Sequence, residues 1–398
     1  MDDRVYYIWL SLSLGTDCRA VSTLFSRYEN AKQIYDEDSF DKTVLTDRQK
    51  KRLEDKSLDK ALEIFSRCVN KGIGILTYHD AYFPSRLRII SSPPVVLYYR
   101  GKLKNLENEY LAAIIGTRDV SDYGIKATRW FSSSLSRSGA VVVSGMAAGV
   151  DGEAQRCCIE NGGYTVAVLG TAIDRPYPRE NIGLYEKIAE TGLVLSEYYP
   201  SCTTYASSFP SRNRIISGLS QSVIVTEAGE RSGALITAKL AVMQGREVYA
   251  LPGLAGSEKS AGTNMLLQKG VSLAYRPLDI LSRAELLYPE KIHSFETKFE
   301  QASSVRTKTE EKKEYVSVKP EAEPKEQTPG TKRIVTPQIG ALEPDEEKVV
   351  TAIGENSLYI DEIISSTGLE ASDAMSTATI LELCGVIAQD EKGRYYVL

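Results

Sequence analysis

Phe209 to Ala238 reads FPSRNRIISGLSQSVIVTEAGERSGALITA. Two arginines flank an asparagine (Arg212, Asn213, Arg214) and lead into apolar residues at helical spacing. Gln221 and Ser222 end that pattern. Val223 to Thr226 then reads as a short buried strand closing on Glu227, and Ser232-Gly233 opens a second helix. Cationic forks and small residues therefore gather where helices begin, beside a strand end. That is how an α/β protein builds an anion site. The anion is the phosphate either of a nucleotide or of a polymer.

The same alternation extends outward in both directions. Strands are predicted at 111–116, 140–144, 165–170, 193–197, 222–226, 247–251 and 271–275, with helices between them. Near-continuous Val/Ile/Leu strands separated by helices imply a parallel sheet covered on both faces. Crossovers are expected to be right-handed, and ligands to bind beyond the carboxyl ends of the strands. Two further short strands, Ile73–Tyr78 and Val95–Tyr99, flank a proline-containing loop.

Four segments follow from the periods. Residues 1–72 have helical spacing; the stretch 14–28, LGTDCRAVSTLFSRY, fits a small packing module or a helix-hairpin-helix (SAM-like) element. Residues 73–288 form the α/β core. Residues 289–340 are rich in Lys, Glu and Pro and poor in apolar groups, so they read as a disordered linker. Residues 341–398 read as three helices and a hairpin, the pattern of a winged-helix module.

Composition narrows the function. With 398 residues and 42% hydrophobic content, the chain supports several domains. No apolar run reaches the length of a membrane span, and the start MDDRVYYIWL lacks a signal peptide's features, so a cytoplasmic protein is expected. Six cysteines show no metal spacing, and two histidines (His79, His293) leave little for metal sites or Ser-His triads. The net charge is −5, unevenly spread. Residues 100–284 hold 20 Lys and Arg against 17 Asp and Glu, whereas 341–398 hold 3 against 12. A nucleic-acid site is thus a local matter of the core.

The candidate binding residues lie at successive strand ends. Gly116, Thr117 and Arg118 follow the first core strand, where glycine permits the turn and arginine offers a planar cationic fork. Ser121 is the expected N-cap of the next helix. Ser144 and Gly145 open SGMAAGVD; Asp151, at its end, is expected to cap the helix or hold an arginine. The loop LGTAIDRPYPREN supplies Arg179, with Tyr177 as a stacking or packing aromatic. Phe209 is a candidate stacking platform and Asn213 a candidate base or ribose reader. Of Arg212 and Arg214, one is expected to bind phosphate and the other to pair internally with Glu227 or Asp174. Ser232 and Gly233 complete the set. There is no Walker sequence, no dinucleotide fingerprint and no nucleophile–base pair, so neither catalysis nor a cofactor is expected.

GTRDVSDYG, SGMAAGVD, VAVLGTAID, LSEYYP, FPSRNRIISGLS, SGALITA, LPG and GTNMLLQKG occur in this order, and the chain resembles the DNA-processing protein A (DprA, or Smf) family over about 75–275. The resemblance implies an extended Rossmann-like fold with helical and winged-helix appendages. It also implies single-stranded DNA binding, a homodimer, and loading of the RecA recombinase during natural transformation. It places DNA binding on Gly116, Thr117 and Arg118 and on Arg179, Arg212, Asn213 and Arg214. Two positions depart from the family pattern: Ala148 stands where an arginine is usual, and Gln155 where a histidine is.

Other classes compete. A nucleotide-processing enzyme of the lysine-decarboxylase-like group would use a strand-end glutamate, here Glu227, but EAGERSGAL replaces that group's Gly-Gly-x-Gly-Thr loop. A nucleotide-sensing module is the third class. Within the winged helix, the recognition-helix segment ASDAMSTATILEL has no Lys or Arg. Phosphate neutralisation drives most nucleic-acid affinity. This module is therefore expected to dock protein or imitate an acidic surface, and not to bind DNA.

Overall fold

The computed structural model describes residues 1–16, 18–40, 45–299, 344–354, 356–384, 386–390 and 393–397. Most of the expected linker lies outside them. Five helices come first: α1 (Arg4–Leu14), α2 (Ala20–Arg27), α3 (Ala31–Tyr35), α4 (Asp47–Glu54) and α5 (Asp59–Asn70). The core follows as β1 (Gly74–Thr77), α6 (Ser85–Arg88), β2 (Val96–Gly101), β3 (Leu111–Ile115), α7 (Asp122–Arg137), β4 (Val141–Ser144), α8 (Val150–Glu160), β5 (Thr165–Leu169), α9 (Ile182–Thr191) and β6 (Leu193–Ser196). It continues through α10 (Ser208–Leu219), β7 (Ser222–Val225), α11 (Gly233–Met243), β8 (Glu247–Ala250), α12 (Ala261–Gln268), β9 (Ser272–Leu273) and α13 (Leu278–Leu287).

The nine strands of the core join one sheet in the order β1-β2-β6-β5-β4-β3-β7-β8-β9. From β6 to β9 the neighbours are parallel, while β1 and β2 attach antiparallel beside β6. Successive strand residues point to opposite faces, and the two apolar cores follow that rule. Ala113, Ile115, Val143, Val223 and Val225 face the core shared with α10, α11 and the N-terminal helices. Ala112, Ile114, Val142 and Ile224 face the core shared with α7, α8 and α13. The sheet expected from the sequence is present, with two differences. The last strand is only two residues long, and α13 adds a helix that the sequence pattern does not announce. Its apolar spacing, Ile280, Leu281, Ala284, is short.

Residues 293–299, which the sequence assigns to the linker, run along α7. The backbone N–H of Phe295 donates to Ser138 Oγ at 2.8 Å and that of Thr297 to Ser134 Oγ at 3.0 Å. Trp130 Nε1 donates to the Thr297 carbonyl at 2.5 Å. The C-terminal module comprises α14 (Pro344–Ile353), α15 (Ile360–Thr367), α16 (Ala371–Cys384) and the hairpin β10 (Ile387–Gln389) and β11 (Tyr395–Val397). It has its own apolar centre of Val349, Ile353, Ile363, Ala378, Leu381 and Ile387.

Two buried arginines, Arg86 and Arg214, and a half-buried one, Arg246, anchor this architecture. Arg86 donates to the Leu219 carbonyl at 3.2 Å and to Gln221 Oε1 at 2.8 Å, joining α6 to the turn between α10 and β7. Arg246 donates to the carbonyls of Arg86 and Gly218 at 3.0 and 2.9 Å. Arg214 Nη2 bridges both oxygens of Glu197, at 2.7 and 2.8 Å, and the two side chains are 2% and 6% exposed. The internal partner is therefore Glu197, directly after β6, and not the expected Glu227 or Asp174. Asp174 instead pairs with Lys71 at 2.5 Å and accepts from Ser201 N at 2.7 Å. Arg214→Ala leaves a carboxylate buried without its cation. It is expected to cost about 3–5 kcal/mol of stability, read as a lower midpoint in a urea melt; a midpoint unchanged from the parent would contradict the assignment.

Candidate nucleic-acid interface

The ends of β3, β4, β5 and β7 converge on one edge of the sheet, and α10 delivers a side chain beneath it. Arg212, in the first turns of α10, is 5% exposed. Its Nη1 donates to the Gly145 carbonyl at 2.8 Å and also to the Val168 carbonyl, and its Nε donates to Asn213 Oδ1 at 3.2 Å. A Cβ on Gly145 would stand 2.6 Å from the guanidinium, so only glycine lets the fork lie against this strand end. Burial, partly opposed by Asp151, pushes the Arg212 pKa down to about 10, so the group remains cationic at neutral pH.

The loop between β4 and α8 is held in an uncommon conformation. Met146 has φ 56° and Gly149 φ 75°. Asp151 Oδ2 accepts from Gly145 N at 3.0 Å, tying the loop back to its own helix. Burial pushes the Asp151 carboxyl up, while Arg212 and the backbone N–H groups of Gly145 and Ala147 pull it down. From the next loop, Asn181 Nδ2 donates to the Met146 and Ala147 carbonyls at 3.0 and 3.1 Å. Strain of this kind persists where the surroundings over-determine it.

Above this floor lies a cleft of about 80 Å³ lined by Arg118, Gly145, Ala148, Tyr177, Phe209 and Arg212, among others. That is room for several waters. Arg118 is exposed, and its guanidinium lies 5.9 Å from the centre of the Phe209 ring. Tyr177 lies 5.6 Å from the same ring, tilted by 58°, and is 53% exposed. Cation, aromatic ring and second aromatic ring form a continuous wall, the combination that suits a stacked base beside a phosphate.

The structure sorts the predicted residues. Arg118, Phe209, Gly145 and Arg212 meet at the cleft. Gly116 and Thr117 form the turn beneath it, with Thr117 N donating to the Glu227 carbonyl at 2.7 Å. Arg179 is exposed on the neighbouring loop, and Asn213 is half-buried against Arg212. Arg214 is removed from solvent by Glu197. Ser144 is fully buried and its hydroxyl donates to the Ile114 carbonyl at 2.7 Å, so it serves the sheet. Ser232 is the N-cap of α11, accepting from Ala234 N at 3.3 Å, with Gly233 as the first helical residue.

Ser121 caps α7 as expected, accepting from Gly124 N at 3.0 Å. It also donates to Glu227 Oε1 at 2.5 Å, while its backbone N–H donates to Oε2 at 2.7 Å. Glu227 is 2% exposed and so works as a clasp between two strand ends. Of the two departures, Ala148 lines the cleft, whereas Gln155 is fully buried and donates to Thr165 Oγ1 and the Val166 carbonyl. Tyr177 and Asn181 are the residues that sequence reasoning undervalues. Their signal is position, an aromatic between two prolines and a side-chain amide at a helix start. Among the described residues, no cluster of His, Cys, Asp and Glu fits a metal ion, and no helix is long and apolar enough to cross a membrane.

Comparison with known proteins accounts for this arrangement. The model of the DNA recombination-mediator protein A family matches residues 74–285, and that of the DprA winged-helix domain matches 333–393. The chain belongs to the DNA recombination-mediator protein A family. It is 36% identical to protein Smf of Synechocystis sp. over 325 residues, covering 80% of this chain and 79% of that one. It is 40% identical to the DNA processing protein DprA of Streptococcus pneumoniae over 206 residues, 52% of this chain and 72% of that one. The X-ray structure of the S. pneumoniae protein superposes with a TM-score of 0.61 at 32% identity, covering 71% of this chain and 98% of that chain. The structure of DNA processing protein A from Helicobacter pylori, described for its single-stranded DNA binding mode, gives a TM-score of 0.50 at 32% identity, covering 56% and 97%.

Within this family member, the cleft's shape rests on the loop glycines. A Cβ on Gly149 would lie 2.4 Å from the Thr117 carbonyl oxygen, at a φ that side chains rarely adopt. Gly149→Ala is expected to lower stability by about 1–3 kcal/mol, seen as a reduced thermal midpoint; an undiminished midpoint would show that the loop relaxes freely.

Proposed function

We propose that the protein binds single-stranded DNA along the carboxyl edge of its sheet and serves as a recombination mediator. The single observation that carries this reading is the cleft itself. It has one buried cation in its floor, an exposed cation on its wall, and two aromatic rings where a base can stack. A polymer suits it better than a free nucleotide because further exposed cations, Arg175 and Arg179, continue the charge onto the adjacent loop. Membership of the family and the H. pylori relative support the same reading. By the same resemblance, we assign the protein a cytoplasmic, non-enzymatic role as a homodimer that protects incoming DNA and loads RecA during natural transformation.

Single strands engage such a surface by phosphate neutralisation and base stacking. Arg118 and Arg179 supply exposed charge, and Phe209 and Tyr177 supply rings. Arg212 supplies a fixed positive field from below. Ala148 marks the place of a cation that is usual in the family and missing here, so this chain depends more heavily on its remaining arginines.

The test must spare the fold. Arg212 is bonded to two backbone carbonyls, so reversing its charge would disturb the sheet itself. Arg118→Glu with Arg179→Glu touches exposed side chains only. This pair is expected to weaken oligothymidine binding at least about tenfold, with an unchanged circular dichroism spectrum. The slope of log affinity against log salt is expected to become shallower by about 0.7 for each phosphate that is no longer neutralised. The parent complex is expected to speed RecA assembly on the same oligonucleotide. Wild-type affinity in the double variant would refute the site. Conversely, Ala148→Arg is expected to tighten binding by severalfold, and no gain in titration would show that the cleft wall does not meet phosphate.

A further inference from the structure

The winged-helix module carries 12 acidic residues against 3 basic ones. It also touches the core through those acids. Glu346, in the first turn of α14, pairs with Lys239 of α11; their side chains are 6% and 22% exposed. Asp373, in the first turn of α16, lies 3.3 Å from Arg231. Arg19 of the N-terminal helices donates to the Glu382 carbonyl in α16. Helix α16 further packs against α10, the helix that carries Phe209 and Arg212.

These interactions share one chemical logic. Glu346 is a carboxylate taken out of water, which is unfavourable unless a cation accompanies it. Lys239 brings that cation from another domain, so burial of this acid and docking of the module go together. Arg231 lies in the loop that joins β7 to α11, and β7 ends at the same edge as the cleft. Its side chain is 78% exposed, with Nη1 3.3 Å from Asp373 Oδ2. Asp373 thus sets a carboxylate beside an exposed cation of the core.

We propose that the winged-helix module is an internal competitor for single-stranded DNA. Docked on α10 and α11 in the free protein, it covers one end of the cationic edge with its carboxylates. A strand long enough to reach Arg231 displaces it. The kind of partner this surface of the core fits is thus a polyanion, and the chain supplies its own imitation of one. Displacement exposes Glu346, Asp373 and the face of α16 to other partners at the moment DNA is bound. The inference rests on the DNA-binding reading above, but the docking itself does not.

One substitution in the full-length chain separates the outcomes by sign. Lys239→Glu puts a like charge opposite Glu346 and undocks the module. It also removes a cation from the core, so simple electrostatics requires weaker binding to oligothymidine. Competition requires the opposite, about three- to fivefold tighter binding at low salt. Hydrogen exchange of α11 and α14 reads the docking without DNA and is expected to quicken in the variant. The charge swap Lys239→Glu with Glu346→Lys is expected to restore both the slow exchange and the parent affinity. Exchange unchanged by Lys239→Glu overturns the docking. Faster exchange with equal or weaker binding overturns the competition. A parent protein that binds no oligothymidine overturns the DNA reading and the competition with it, while the exchange result still decides the dock.

Discussion

A guanidinium laid flat against a glycine at a strand end is the interaction on which the site depends. Arg212 reaches the Gly145 and Val168 carbonyls only because Gly145 offers no side chain. Those carbonyls lie at or beside the ends of β4 and β5, so one cation ties two strands of the sheet to α10. Everything exposed at the cleft, from Arg118 to Phe209, is arranged over this buried fork. The charge of the floor holds the strand ends together. Its lowered pKa records what burial costs the group, and Asp151 offsets part of that cost.

Much of this was legible in the sequence, for physical reasons. Parallel strands buried on both faces must be apolar throughout, so Val141–Ser144 and Ser222–Val225 stand out against the amphipathic helices between them. Loops at the carboxyl ends announce themselves by glycine, proline and arginine. The roles of individual arginines did not follow so directly. Arg212 and Arg214 lie two residues apart on one helix, yet one faces the strand ends and the other a carboxylate after β6. Glu197 precedes Arg214 by 17 residues across a loop, and no local pattern encodes that meeting. Ser144 misled for a similar reason, because its hydroxyl turns inward to β3. The run 293–299 reads as linker because its bonds to α7 use backbone groups and serine hydroxyls, and its aromatic contacts, Phe295 with Arg137 and Phe299 with Trp130, are too few to set a period.

Charge is divided between the parts of this chain in a way that total charge hides. The core is slightly basic and the winged helix strongly acidic, and where they meet the pairs are ionic. The module meets the core through Glu346 on Lys239 and Asp373 on Arg231. In the architecture described here, that makes it a partner of the core before it is a partner of anything else.

The antiparallel strands β1 and β2 have a mechanical consequence. They extend the sheet beside β6, and their apolar side chains enter the same core as Ile8, Leu10 and Ile64 of the N-terminal helices. The helices and the sheet therefore cannot come apart without opening a common interior, and they should lose structure in one cooperative step. The winged helix, with its separate apolar centre, is a second unit that can melt alone. Heat would thus divide the chain at the same place where its charge divides, between a sheet that carries the cleft and a small acidic module that can leave it.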